Sequence, residues 1–262
     1  MSTNSLTVKR KISIVLLTVL GFIPYYLIMM GVRPSFLRIS AQDWSLPLFY
    51  IFYCIFLAII LFLMHKEQLM EAIGLNKNIA YGFAYSLIAV LPMLLCNIIM
   101  KGFNNTESPL FLFNTSVTAG FFEELLFRGF LLGQLFRYAR WGFIPTILLV
   151  AFLFGLGHIF QGTTIQSAIL SASTTGLGAA LFGWIFIETN YNLWCCAFLH
   201  ILMNFSWSAF ATTDNGAIGD TVSNITRIST VAIAILLVII YKKKAHRPYY
   251  INAQTLWKNS EI

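Results

Sequence analysis

Apolar runs of about twenty residues recur along the whole of this 262-residue sequence. At ~1.5 Å of helical rise per residue, each is long enough to cross the ~30 Å hydrocarbon core of a bilayer. Runs bounded by charge, Pro, Gly and Asn predict eight spans, over residues 12–31, 46–64, 79–100, 117–136, 143–160, 165–187, 192–210 and 228–241. The expected fold class is therefore all-α, a polytopic membrane helix bundle of about eight transmembrane helices. Composition agrees, with 58% hydrophobic and 10% charged residues, far below the roughly 25% charge of an average soluble domain. The chain reads as a single integral membrane domain over 1–262, with no room for a separate soluble one.

The first run, from Ile12 to Met30, follows Lys9, Arg10 and Lys11. It exceeds a usual signal-peptide core and no small-residue cleavage site follows, so it is expected to be a retained helix. The segment from His65 to Asn78 is too polar to span; with Leu69, Met70, Ile73 and Leu75 on one side, it is expected on the membrane surface. Cys54, Cys96, Cys195 and Cys196 all lie in apolar runs without zinc-ligand spacing and read as packing residues.

The net charge of +7 does not indicate nucleic acid, because the basic residues sit in loops and a tail and are not interleaved with aromatics on a soluble face. Under the positive-inside rule, eight spans with a cytoplasmic N-terminus place twelve Lys and Arg inside: Lys9, Arg10, Lys11, Lys66, Lys77, Arg137, Arg140, Lys242, Lys243, Lys244, Arg247 and Lys258. Four fall outside, at Arg33, Arg38, Lys101 and Arg227. The tail from Lys242 reads as a stop-transfer anchor, with anionic lipid heads as the alternative contact. Gly129 and Gly133 form a GxxxG, and small residues from Gly176 to Gly183 mark close helix packing. No repeat, Walker A or GxGxxG pattern occurs.

Charged residues inside spans are costly and mark candidate function. They are Glu123, Glu124 and Arg128 in FFEELLFRGF, with His158 and His200 in later spans and Asn204 as a nearby amide. Helical residues four apart lie within about 40° of one another, whereas neighbours diverge by about 100°. Glu124 and Arg128 therefore share a face and are expected to pair, while the Glu123 carboxylate has no partner on its own helix. His200 and Asn204 repeat the four-residue spacing, as do Phe154 and His158. A carboxylate, two histidines and an amide suit hydrolysis: one subset activates water and the other donates to the oxyanion. The same Glu, His and His also resemble a three-ligand zinc set, although no HExxH is present, so zinc is a candidate cofactor and the metal state stays open.

EELLFR at 123–128 resembles the EExxxR motif of the CPBP intramembrane proteases, the CAAX-protease and bacteriocin-processing or Abi family. FGLGH at 154–158 is similar to its FxxxH motif and HILMN at 200–204 to its HxxxN motif, in the family's order on separate spans. The resemblance covers 117–210 as a catalytic core. It implies a bundle enclosing a polar cavity that cleaves peptide bonds of a peptide or protein substrate reaching the membrane. It further implies that Glu123 with His158 activates water, His200 and Asn204 stabilise the oxyanion, and Glu124 with Arg128 supports the site. Family members are described both as metalloproteases and as metal-independent glutamate proteases. The compact length and short loops resemble the bacterial type, which points to a bacterial plasma membrane and to bacteriocin self-immunity or peptide maturation.

The alternatives are a non-catalytic bacteriocin immunity or interaction protein and a proton-coupled transporter; the missing internal repeat weighs against the transporter. Depth poses a test: by rise per residue, Glu123 lies ~9 Å below the outer start of its span and His200 ~12 Å from the inner start of its own. They meet only if spans tilt or boundaries shift.

Overall fold

The computed structural model describes residues 7–32, 37–104, 106–210 and 218–259. Among the described residues eight principal helices run α1 Val8–Met29, α2 Ser45–His65, α3 Ile79–Met100, α4 Pro109–Tyr138, α5 Phe143–Gly157, α6 Ile165–Glu188, α7 Leu193–Ser208 and α8 Thr221–Lys244. Seven of these elements are long and apolar enough to cross a membrane, α2 and α5 together with the short turns that extend them. The eighth, α7, has 16 residues. No strand occurs among the described residues, which makes the chain a polytopic helical bundle.

Local chemistry sets the ends. Asn78, Ser108, Thr164, Asn192 and Asp220 each accept a backbone N–H of the helix that follows, and Pro109 takes the first turn of α4. Exposed apolar stripes on α1 (Leu16, Leu20, Ile23, Leu27) and α2 (Ile51, Ile55, Ile59, Phe62) give the surface that lipid would cover.

α4 is the central element, with Leu125 to Phe136 buried on every face. It also departs from regular α geometry, since residues 114–118 and 125–138 are wound with wider five-residue (π) hydrogen bonding. π segments recur at functional sites. Around it, α1 packs on its second half, α5 against α6, and α7 against both α3 and the Ala119–Glu124 stretch, while α8 covers α3. Gly155 lets α5 cross α6 closely, because a Cβ there would meet the Ala172 carbonyl at 2.4 Å.

Two expectations need correction. The segment after α2 does not float as one apolar face on the membrane surface, since Ile73 is buried and Met70 is exposed. Its carbonyls are taken up by the bundle: Gln134 Nε2 donates to Ala72, the Leu193 N–H to Gly74 and Trp194 Nε1 to Leu75. Gly74 is required there, with φ +80° and a Cβ position 2.1 Å from the Tyr191 carbonyl.

The tail from Lys242 is not a lipid-facing anchor at that residue. Lys242 is buried, paired with Glu188 at 2.8 Å and donating to the Pro248 carbonyl at 2.9 Å. The Glu188 carboxylate also accepts the N–H groups of Tyr250 and Ile251, so the chain after α8 folds back across the bundle end. There Thr255 and Leu256 carbonyls take the N–H groups of Phe143 and Ile144 that begin α5. Arg33 lies outside the described residues.

Candidate active site

A cavity of about 630 Å3 opens between α3 to α8, and Glu123, Glu124, Arg128, His158, His200 and Asn204 all line it. The structure thus brings every expected site residue to one wall system. The depth conflict disappears because the helices differ in length. α4 starts at Pro109, eight residues earlier than expected, so Glu123 is mid-helix; α5 stops at Gly157, so His158 ends a short helix within the bundle. His200 lies midway along α7.

The Glu124–Arg128 pair forms as its spacing predicts, at 2.8 Å, with the two side chains 0% and 1% exposed. Glu124 Oε1 has a second donor: His200 Nδ1, also at 2.8 Å. His200 is thus held by Glu124 and not by Glu123. Because an ionised carboxylate only accepts, Nδ1 carries the proton of this bond and the ring's Nε2 is left toward the cavity. Among the described residues, Glu124 Oε2 and Arg128 Nε have no hydrogen-bond partner. Arg128 is instead flanked by aromatic faces, 4.7 Å from the Phe154 centroid and 5.2 Å from that of Phe182.

Phe154 organises the other histidine. Its carbonyl lies 2.8 Å from His158 Nδ1, and its ring stacks on the imidazole with centroids 4.6 Å apart. A carbonyl oxygen only accepts, so His158 carries its proton on Nδ1 and presents an unprotonated Nε2 when neutral. On α7, Asn204 donates one Nδ2 hydrogen to the Thr115 carbonyl at 3.0 Å, which leaves the second. That carbonyl belongs to the first π segment of α4. Half-buried Glu123 makes no hydrogen bond or ion pair among the described residues, so its carboxylate faces the cavity uncommitted.

The donor chemistry of Glu123, His158 and His200 would suit zinc, but their arrangement does not fit it. Among the described residues no three His, Cys, Asp or Glu side chains are grouped to hold an ion.

One charged residue of the cavity wall is not expected from the sequence. Arg227, expected in a loop before the last span, lies in the second turn of α8, lines the cavity and sits 5.1 Å over the Trp207 ring. The polar run Thr221 to Arg227 hid that helix start. The Asp220 cap with Ser223 three residues on is the signal that marks it.

Comparison with known proteins adds one finding. Residues 105–206 match the family model described as Type II CAAX prenyl endopeptidase Rce1-like. The matched stretch contains all three motifs and every site residue except Arg227, and is consistent with a CPBP-family intramembrane protease. No curated protein and no solved structure matches the chain.

Proposed function

We propose that this CPBP-family chain is an intramembrane endopeptidase that hydrolyses a peptide bond of a membrane-associated peptide or protein by direct attack of an activated water. Glu123 and His158 Nε2 are both acceptors on the cavity wall, so a water between them donates its two hydrogens to them and turns a lone pair to the substrate carbonyl. Glu123 takes the proton as the bond forms and returns one to the leaving amine. The oxyanion is met by the free Nδ2 hydrogen of Asn204 and by His200 Nε2–H. That second donation requires a proton on both ring nitrogens of His200, with Nδ1–H directed at the Glu124 carboxylate. Arg128 in turn is the counter-ion of the buried Glu124 carboxylate.

The observation that carries this reading is that one cavity holds an uncommitted carboxylate, Glu123, beside two histidines with fixed Nδ1 partners. Bacteriocin self-immunity or maturation of a small peptide is the physiological setting we propose, in a bacterial plasma membrane. The test is cleavage of a reporter peptide by purified wild type and by Glu123→Gln, each with its folding checked. Loss of cleavage in a folded variant supports the reading. Immunity that survives Glu123→Gln would favour a non-catalytic immunity protein instead.

A further inference from the structure

We infer that the cavity opens on the non-cytoplasmic side of the membrane, so that the segment it cleaves is a peptide or the flank of a membrane protein presented from that side. Cleavage by this cavity rests on the endopeptidase reading; the side it opens to rests on three observations that do not.

The cavity belongs to one end of the bundle. Its lining includes Phe111 near the start of α4, Gln161 just beyond α5, Ser208 at the end of α7 and Arg227 near the start of α8. These termini are gathered together: Lys101 after α3 pairs with Asp220 before α8, and the Asn104 N–H donates to the Ala209 carbonyl beyond α7. The mouth therefore lies at the end where α3, α5 and α7 finish and α4, α6 and α8 begin.

The opposite end is closed. Between the cavity floor at Arg128 and that end lie Leu132, Phe136, Phe186 and Leu193, each at most 1% exposed. Beyond them the buried Glu188–Lys242 pair and the folded-back tail cover the helix ends. A polypeptide has no route to Glu123 through this plug.

The closed end also carries the positive charge. Lys9, Arg10, Lys11, Lys66, Lys77, Arg137, Arg140, Lys243, Lys244, Arg247 and Lys258 belong to it, eleven residues even with the buried Lys242 set aside. At the open end the described residues include three: Arg38, Lys101 and Arg227. Lys and Arg in short loops set orientation, and the richer side remains cytoplasmic. The open end then faces away from the cytoplasm.

The test reads orientation without activity. Single cysteines at exposed Thr106 and Thr163 (open end), exposed Asn76 (closed end) and cavity-lining Thr174 are probed with a membrane-impermeant maleimide. The full-length chain is used in right-side-out and inside-out vesicles, with wild type as the background for its four native cysteines. We expect Thr106→Cys, Thr163→Cys and Thr174→Cys to react only in right-side-out vesicles and Asn76→Cys only in inside-out ones. The reverse pattern, or reaction of Thr174→Cys from both sides, overturns the inference. Two single-pass reporters bearing one unstructured segment on the outer or the cytoplasmic flank complete the test. Glu123-dependent cleavage of the outer reporter supports the assignment, and cleavage of the cytoplasmic one overturns it. Outward labelling with neither reporter cut overturns the substrate assignment by way of the endopeptidase reading and leaves the orientation standing.

Discussion

Glu124 Oε1 lies 2.8 Å from both Arg128 Nη1 and His200 Nδ1, so one buried oxygen joins α4 to the histidine of α7. Removing the carboxylate charge with Glu124→Gln leaves Arg128 buried without its counter-ion, a change that costs about 3–5 kcal/mol in comparable buried pairs. We expect a clear fall in Tm together with loss of cleavage. Replacing both partners, as Glu124→Leu with Arg128→Met, is expected to recover most of the Tm but no activity. Thermal unfolding in detergent beside peptide cleavage separates the two effects.

Asn204 is held by the Thr115 carbonyl with one Nδ2 hydrogen left over. If that hydrogen meets the oxyanion, Asn204→Ala lowers kcat by about 10²–10³ and moves KM little. An equal rise in KM at constant kcat would instead assign Asn204 to substrate binding.

Because the site carboxylate and histidines are not grouped to hold an ion, cleavage is expected to persist at its full rate after dialysis against a strong chelator. Loss of activity restored by added zinc would contradict the direct attack on water derived above.

The Glu188–Lys242 pair, 0% and 2% exposed, also anchors the tail through the N–H groups of Tyr250 and Ile251. Lys242→Met strands a buried carboxylate, again about 3–5 kcal/mol. The expected result is faster amide exchange at Tyr250 and Ile251, with Glu123-dependent cleavage retained. Unchanged exchange at those two amides would show that the pair does not fasten the tail.

At the open end, hydrogen bonds from Lys101 and from Ser223 lower the Asp220 carboxyl to about 2 from an ordinary 3.8. A depressed carboxyl contributes stability that is present above its ordinary pKa and is lost as pH falls through the folded value. The Tm difference between wild type and Asp220→Asn is therefore expected to be constant above about pH 4 and to shrink as pH falls toward about 2. A difference that stays constant through that window would show that Asp220 does not act through its charge.

What the sequence made legible was set locally. Residues 143–160, 165–187 and 192–210 anticipate α5, α6 and α7 within three residues at each end, because Thr164 and Asn192 stop the apolar runs where the caps form. Four-residue spacing was enough to pair Glu124 with Arg128. The polar break Asn114 to Ser116 cut the apolar start Pro109 to Phe113 off from the rest of α4, and the largely polar stretch Thr221 to Arg227 hid the start of α8, so α4 looked too short and Arg227 looked like a loop residue. Contacts between distant residues were beyond reach: His200 meets Glu124 across 76 positions, and Glu188 neutralises Lys242 from another helix. The π winding of α4 was equally hidden, since it is a change of backbone hydrogen-bond partner in a helix buried on every face from Leu125 to Phe136, where no apolar periodicity is left to report it.

Glu123 is the half-buried carboxylate that faces the cavity with no hydrogen bond among the described residues, so its charge can be removed with little structural cost. The most direct measurement is kcat of purified, folded Glu123→Gln on a peptide that wild type cleaves. A fall of about 10²–10⁴-fold at near-unchanged Tm is the predicted result; wild-type turnover in that variant would contradict the proposal that Glu123 activates the water.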